Sequence, residues 1–219
     1  MRVDLIIFDC DGVLADSEIL SAEVLIDQLA DLDLALTLDD VRRDFLGRSF
    51  PTVAAHIRDR LARVLPDDFE ARYRARLLDR FATDLAPTHG VVDLLAALDR
   101  PVCVATSSSP PRVARTLQLL GLADHFGPHV FTASQVARGK PAPDLFLFAA
   151  AQMGADPAHA LVIEDSAPGL AAARAAGMRV LHYAGGTHLT GQPAPEGHDS
   201  FADWRDFPAR LARVEGLPG

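Results

Sequence analysis

Residues 3 to 18 read VDLIIFDCDGVLADSE. The largely apolar run up to Phe8 suits a strand covered on both faces. Asp9 and Asp11 then follow two residues apart, with Gly12 behind them. Two carboxylates that close repel each other, so the pair calls for positive charge nearby.

The same form recurs along the chain. VCVAT (102 to 106), HVFTA (129 to 133), ALVIE (160 to 164) and RVLHY (179 to 183) are predicted strands. Residues 88–99, 110–120, 143–153 and 167–176 carry helical periodicity, with prolines near several starts and Gly121, Gly154 and Gly177 past three ends. Strands alternating with helices predict an α/β fold, a doubly wound Rossmann-like parallel sheet. Residues 15 to 83 depart from that rhythm: SEILSAEVLIDQLADL, TLDDVRRDFL, PTVAAHIRDRLARVL and DDFEARYRARLLDRF read as amphipathic helices with no strand among them. They predict an inserted all-α cap domain, 15–83, within a catalytic core made of 1–14 and 84–219. Residues 184 to 200 read as a polar loop before a last helix near 202 to 214.

Composition narrows the function. A chain of 219 residues buries a substantial core without staples, and its two cysteines, Cys10 and Cys103, lie in apolar stretches where a free thiol acts as a small hydrophobe. The N-terminus fits neither a signal peptide nor a membrane span, so a cytoplasmic monomer with no membrane partner is expected. A formal net charge of -9 argues against nucleic acid, which a basic face would recognise. Lys140, in RGKPAPD, is the only lysine in an arginine-rich chain; such a place suits a compact point charge that a planar guanidinium does not imitate.

Three predicted strands end in polar clusters: Asp9 to Gly12, Thr106 to Ser109, and Glu164 to Ser166. One such cluster is ordinarily a helix cap, but three at the carboxyl ends of parallel strands, where open α/β sheets bind ligands, point to a site. Asp9, Asp11, Glu164 and Asp165 offer the hard oxygen ligands of a Mg²⁺ site, with Lys140 adding positive charge. One aspartate can attack phosphorus while the other handles protons. Hydroxyl and N–H groups at Thr106 and Ser107 can hold phosphoryl oxygens. The eight histidines show no paired metal spacing and are left out of the site.

DCDGVLADSE, the strand ending in Thr106, GKPAPD around Lys140 and IEDSAPGLAAARAAGM from 163 to 178 resemble, in order, the four motifs of the haloacid dehalogenase-like superfamily. The likeness is to its phosphatase and β-phosphoglucomutase-like branch with a helical cap, and within it to bacterial sugar-phosphate and 6-phosphogluconate phosphatases. The resemblance implies Asp9 as nucleophile and metal ligand, and Asp11 as general acid/base ligating through its backbone carbonyl. It implies Thr106 and Lys140 on the phosphoryl group, and Asp165 and Glu164 completing a Mg²⁺ shell. Arg48 of the insert is a candidate substrate contact. The expected reaction is Mg²⁺-dependent hydrolysis of a small phosphate ester, a sugar or sugar-acid phosphate, through an aspartyl-phosphate. The alternative is a hexose-phosphate mutase. That type resembles this chain but carries basic groups where Ser21, Phe50 and Ser109 stand here.

Overall fold

The computed structural model describes residues 2–45, 48–60, 62 and 64–217. Among them six strands form one all-parallel sheet: β1 (Leu5–Phe8), β2 (Val102–Thr106), β3 (Val130–Thr132), β4 (Ala160–Glu164), β5 (Arg179–Tyr183) and β6 (Ser200–Phe201). Their order is β3-β2-β1-β4-β5-β6. The winding reverses between β1 and β4, and the crevice at such a reversal is where ligands bind in this architecture. Phe8 pairs with Ile163 and with Val104, so Asp9, Glu164 and Ala105 emerge side by side at that crevice.

Alternation along the strands sends side chains to two apolar layers. Ile6, Phe8, Val104, Leu161, Ile163 and Tyr183 join one, with Phe126, Trp204 and Phe207. Leu5, Ile7, Cys103, Ala105 and Val162 join the other, with Leu145, Phe146 and Ala173. Helices α5 (Val91–Ala97), α6 (Pro110–Leu119), α7 (Ala123–Phe126), α8 (Asp144–Gln152), α9 (Ala167–Ala175) and α10 (Phe207–Glu215) belong to this part of the chain. Both cysteines are buried and free.

Between β1 and β2, helices α1 (Glu18–Ala30), α2 (Leu38–Asp44), α3 (Phe50–Arg60) and α4 (Phe69–Asp84) bury a third apolar cluster of their own, including Leu25, Leu29, Ile57, Phe69, Leu77 and Phe81. The two connections to this unit run beside each other, with Ala15 bridged to Pro87 and the Asp16 N–H donating to the Ala86 carbonyl at 2.9 Å.

The differences from expectation have local causes. The loop ends in β6, a two-residue strand too short to show periodicity. A 3₁₀ turn at Trp204–Asp206, capped by the Asp203 carboxylate, delays the last helix to Phe207, with Pro208 in its first turn. The third insert helix ends at Arg60 rather than near 65, with Ala62 in a left-handed conformation; Leu61 and Arg63 lie outside the described residues. No described helix is long and apolar enough to cross a membrane.

Phe8 is fully buried against the rings of Phe126 and Trp204, whose centroids lie 6.3 and 6.1 Å away. Phe8→Ala should cost about 3–5 kcal/mol through lost burial and a residual cavity, read as a lowered urea midpoint with an unchanged slope.

Candidate active site

The site begins with one ammonium. Lys140 Nζ donates to Asp9 Oδ1 at 2.5 Å, Glu164 Oε1 at 2.7 Å and the Ala105 carbonyl at 2.9 Å. Those acceptors come from three adjacent strand ends, and they match the three N–H bonds an ammonium carries. The Phe146 ring centroid lies 4.8 Å from Nζ. Burial alone would favour the neutral amine, but Asp9 and Glu164 outweigh it and hold Lys140 charged.

Asp9, Glu164 and Asp165 each offer a carboxylate oxygen within 4.8 Å of the others, all buried. Burial pushes Asp9 well above the usual carboxylate range; Lys140 opposes this, while Glu164, Asp165 and Asp11 add to it. Asp165 is raised by burial and then by Glu164, again against Lys140. One ammonium does not balance three carboxylates, and a hard divalent cation among their oxygens would. The donor set fits such an ion. Ser166 N–H and Oγ donate to Glu164 Oε2 at 2.8 and 2.9 Å, fixing that side chain. Two glycines make room. A Cβ at Gly169 would lie 1.8 Å from Glu164 Oε1, and one at Gly12, where φ is +80°, would lie 1.9 Å from Asp165 Oδ2.

Asp11 is held quite differently. Its Oδ1 accepts from Ser17 Oγ and Arg112 Nη2, both at 2.7 Å, and Oδ2 accepts from Ser108 Oγ at 2.5 Å. Burial would raise this carboxyl, but the Arg112 charge and the hydrogen bonds outweigh it and hold it below the usual range. Its carboxylate therefore stands with Arg112 and the serines, apart from the cluster of Asp9, Glu164 and Asp165. Thr106, almost fully buried, accepts the Ser108 N–H at 3.1 Å.

Three participants escaped the sequence reading. Arg112 Nη2 also donates to Ser21 Oγ at 3.0 Å, and its guanidinium lies 5.5 Å from the Phe81 ring centroid. It sits in the first turn of α6, where the helix dipole disfavours a cation; that misfit was the available signal. The setting aside of all histidines needs correction for His188, which is buried with Nε2 2.9 Å from Asp165 Oδ2. Burial lowers its pKa, and Nδ1 has no hydrogen-bond partner among the described residues. Spacing carried no hint, since its partner lies on another strand end. The third is Glu18, whose place in the first turn of a helix invites a bland reading as a dipole partner. It is buried and makes no hydrogen bond or ion pair among the described residues.

Asp9, Asp11, Thr106, Ser107 and Lys140 line one cavity of about 340 Å³, faced across by Phe45, Phe50 and Tyr73 of the insert. A second, of about 550 Å³, is lined by Asp165, His188 and Arg42 among others, and Glu18, Arg48 and Ser166 border both. Arg48 is exposed at that border; Gly47 before it lies outside the described residues.

The crevice, the paired aspartates after the first strand, the lysine and the acidic pair after the fourth strand define an acid-rich site on a doubly wound sheet. A family model for haloacid dehalogenase-like hydrolases matches residues 3–177, and the chain belongs to that family. Among curated relatives, the 6-phosphogluconate phosphatase of Escherichia coli is 24% identical over 188 residues, 85% of each chain. Fructose-1-phosphate phosphatase of the same organism is 31% identical over 177 residues, 79% of this chain and 92% of its own. A solved hydrolase of the family from Deinococcus radiodurans, with bound phosphate and sodium, superimposes with a TM-score of 0.74 at 32% identity, covering 99% of this chain and 98% of that one.

Burial, then Asp11 and Asp165, push Glu18 up from 4.5 to about 8 against His188 and Arg112. A folded carboxyl raised above its unfolded value costs stability as pH climbs between the two. Below 4.5 both states hold the proton; above about 8 the cost is complete. Glu18→Gln should therefore match wild type in denaturant unfolding near pH 4.5 and exceed it increasingly toward pH 8.5. The comparison is made with chelator present.

Proposed function

We propose that this chain is a Mg²⁺-dependent phosphatase that hydrolyses a small phosphorylated metabolite through an aspartyl-phosphate on Asp9. The observation that carries the reading is the divergence of two neighbouring aspartates. Asp9 sits in the charge cluster with Lys140, and Asp11 sits on Arg112, Ser17 and Ser108. The contrast is one of position: Asp9 stands in the cluster that would hold the cation and the phosphoryl group, which suits the nucleophile, and Asp11 stands outside it, which suits the proton carrier.

In the first half-reaction an Asp9 oxygen forms a bond to phosphorus as the ester P–O bond breaks, and the departing alkoxide takes a proton from Asp11. Asp11 must first gain that proton, because Arg112 and the hydrogen bonds hold it as a carboxylate in the free site, and giving the proton up restores that carboxylate. In the second half water attacks the same phosphorus, Asp11 takes its proton, and phosphate leaves as the Asp9 carboxylate returns. Lys140, Thr106 and Ser107 meet phosphoryl oxygens and the negative charge on Asp9. Asp9, Glu164 and Asp165, with the Asp11 carbonyl, would hold the Mg²⁺, which when bound neutralises charge on the transferring phosphoryl group.

We read helices α1 to α4 as a cap over the cavity. The named activities of the relatives, and a cavity of about 340 Å³, support a sugar or sugar-acid phosphate. Phe50 is stacked on Phe69 and Tyr73, with centroids 6.2 and 5.6 Å away, an apolar surface in place of a basic one. Arg48, Arg74 and Arg112 line the same cavity, so the preference for hydrolysis over the mutase rests on the named phosphatase activities of the relatives. Two buried free thiols suit a reducing cytoplasm.

Asp9→Asn should keep the fold and lose at least ~10³-fold in turnover, with no phosphate trapped on the protein. Lys140→Arg should be nearly as damaging as Lys140→Ala, because a planar fork does not reach three acceptors converging on one nitrogen. Phosphate-release assays over sugar phosphates, with and without Mg²⁺, check both; substantial activity in a well-folded Asp9→Asn protein would refute the reading. With a hexose 1-phosphate and a trace of bisphosphate, ³¹P NMR should show free phosphate rising in step with substrate loss. Faster build-up of the 6-phosphate isomer would make the mutase the answer.

A further inference from the structure

Glu18 is the one carboxyl in the site for which the chemistry above has no use. It is more than nine-tenths buried, makes no hydrogen bond or ion pair among the described residues, and borders both cavities. A polar group buried without a partner is costly unless something that enters the site completes it. Its direction is set by the turn that carries it. Ser17, just before it, donates to Asp11, and Ser21, one turn on, accepts from Arg112 and donates to the Ser17 carbonyl at 2.8 Å. The turn on both flanks of Glu18 is thus tied to Asp11, directly at Ser17 and through Arg112 at Ser21, which places Glu18 beside the proposed acid/base group.

The setting also says what it can receive. Asp11 and Asp165 surround Glu18 with negative charge, relieved only in part by Arg112 and His188. A second anionic group on the ligand would be opposed there, whereas a hydroxyl can donate to the carboxylate. Asp11 must reach the ester oxygen to protonate it. The neighbouring Glu18 then meets the carbon chain one or two atoms beyond the ester.

We propose that Glu18 is the specificity-determining residue that recognises a hydroxyl group next to the phosphate ester, selecting polyol phosphates over esters bearing hydrogen or carboxylate at that carbon. The proposal rests on the phosphatase reading.

A matched set of esters tests it: sn-glycerol 3-phosphate, 1,3-propanediol monophosphate, which lacks only the vicinal hydroxyl, 2-phosphoglycolate, and p-nitrophenyl phosphate as a generic ester. Wild type should prefer glycerol 3-phosphate to propanediol phosphate in kcat/KM by at least about tenfold, the worth of one hydrogen bond to a charged group. In Glu18→Ala that ratio should fall toward one while propanediol phosphate and p-nitrophenyl phosphate change little. Glu18→Gln, which keeps shape and hydrogen-bonding atoms, should retain part of the preference. Equal losses on all four esters in both variants, or an unchanged glycerol-to-propanediol ratio in Glu18→Ala, would overturn the assignment and leave the phosphatase reading standing. Wild-type protein that releases phosphate from none of the esters with Mg²⁺ present would overturn both.

Discussion

A single buried ammonium ties this structure together. Lys140 is the only lysine in the chain, and its three N–H bonds close on the ends of β1, β2 and β4. Without that charge, Asp9 and Glu164 would stand beside each other in a low-dielectric crevice, each raising the cost of ionising the other. With it, the parallel register that lines up Asp9, Ala105 and Glu164 becomes tolerable. The strand pairing and the site are therefore one constraint seen twice: the register puts the acids together, and the lysine lets the register stand.

From that centre the two aspartates part company. Asp9 keeps to the lysine and to the oxygens that suit a cation, while Asp11, two residues on, is claimed by Arg112 and two serines. The tight turn at Gly12, which has no room for a Cβ beside Asp165, marks the point where the chain leaves the sheet edge. Opposite shifts in neighbouring carboxyls follow from this divergence: burial acts on both, Asp9 is raised further by Glu164 and Asp165 against Lys140, and Asp11 is lowered by a guanidinium and three hydrogen bonds.

What the sequence made legible was whatever repeats locally. Apolar runs of near-strand length, three of them closed by a polar cluster, gave five of the six strands, and four helical periods without a strand between them marked out the insert. The short strand at Ser200 and Phe201 gave no period to read. In the site, Asp9, Asp11, Lys140 and Asp165 announced themselves by clustering or rarity. Arg112, His188 and Glu18 did not, because each takes its meaning from a partner far along the chain: Asp11 for the arginine, Asp165 for the histidine. Only Arg112 left a trace, as a cation at the wrong end of a helix dipole.

The insert's place directly after the first strand has a structural consequence for Asp11, the proposed acid/base group. Asp11 belongs to the sheet edge, yet Ser17, which holds one of its oxygens, stands just before the first insert helix, and Ser21 on that helix holds Arg112. Asp11, the proposed proton-transfer group, thus sits on the seam between two separately cored units. That seam is fastened from the sheet side: Ala15 bridges Pro87, Thr88 Oγ1 donates to the Val13 carbonyl at 2.5 Å, and Trp204 Nε1 donates to Thr88 Oγ1 at 3.0 Å. Asp16 is tied in turn to the N–H and hydroxyl of Thr187, one residue before His188. Ser17 is therefore positioned by bonds that originate in the core, from the same loop that brings His188 to Asp165. Asp11, the proposed proton-transfer residue, and the turn carrying His188 are thus both fastened to one short stretch, Ala15 to Ser17, which is where the chain has left the strand and has not yet become a helix.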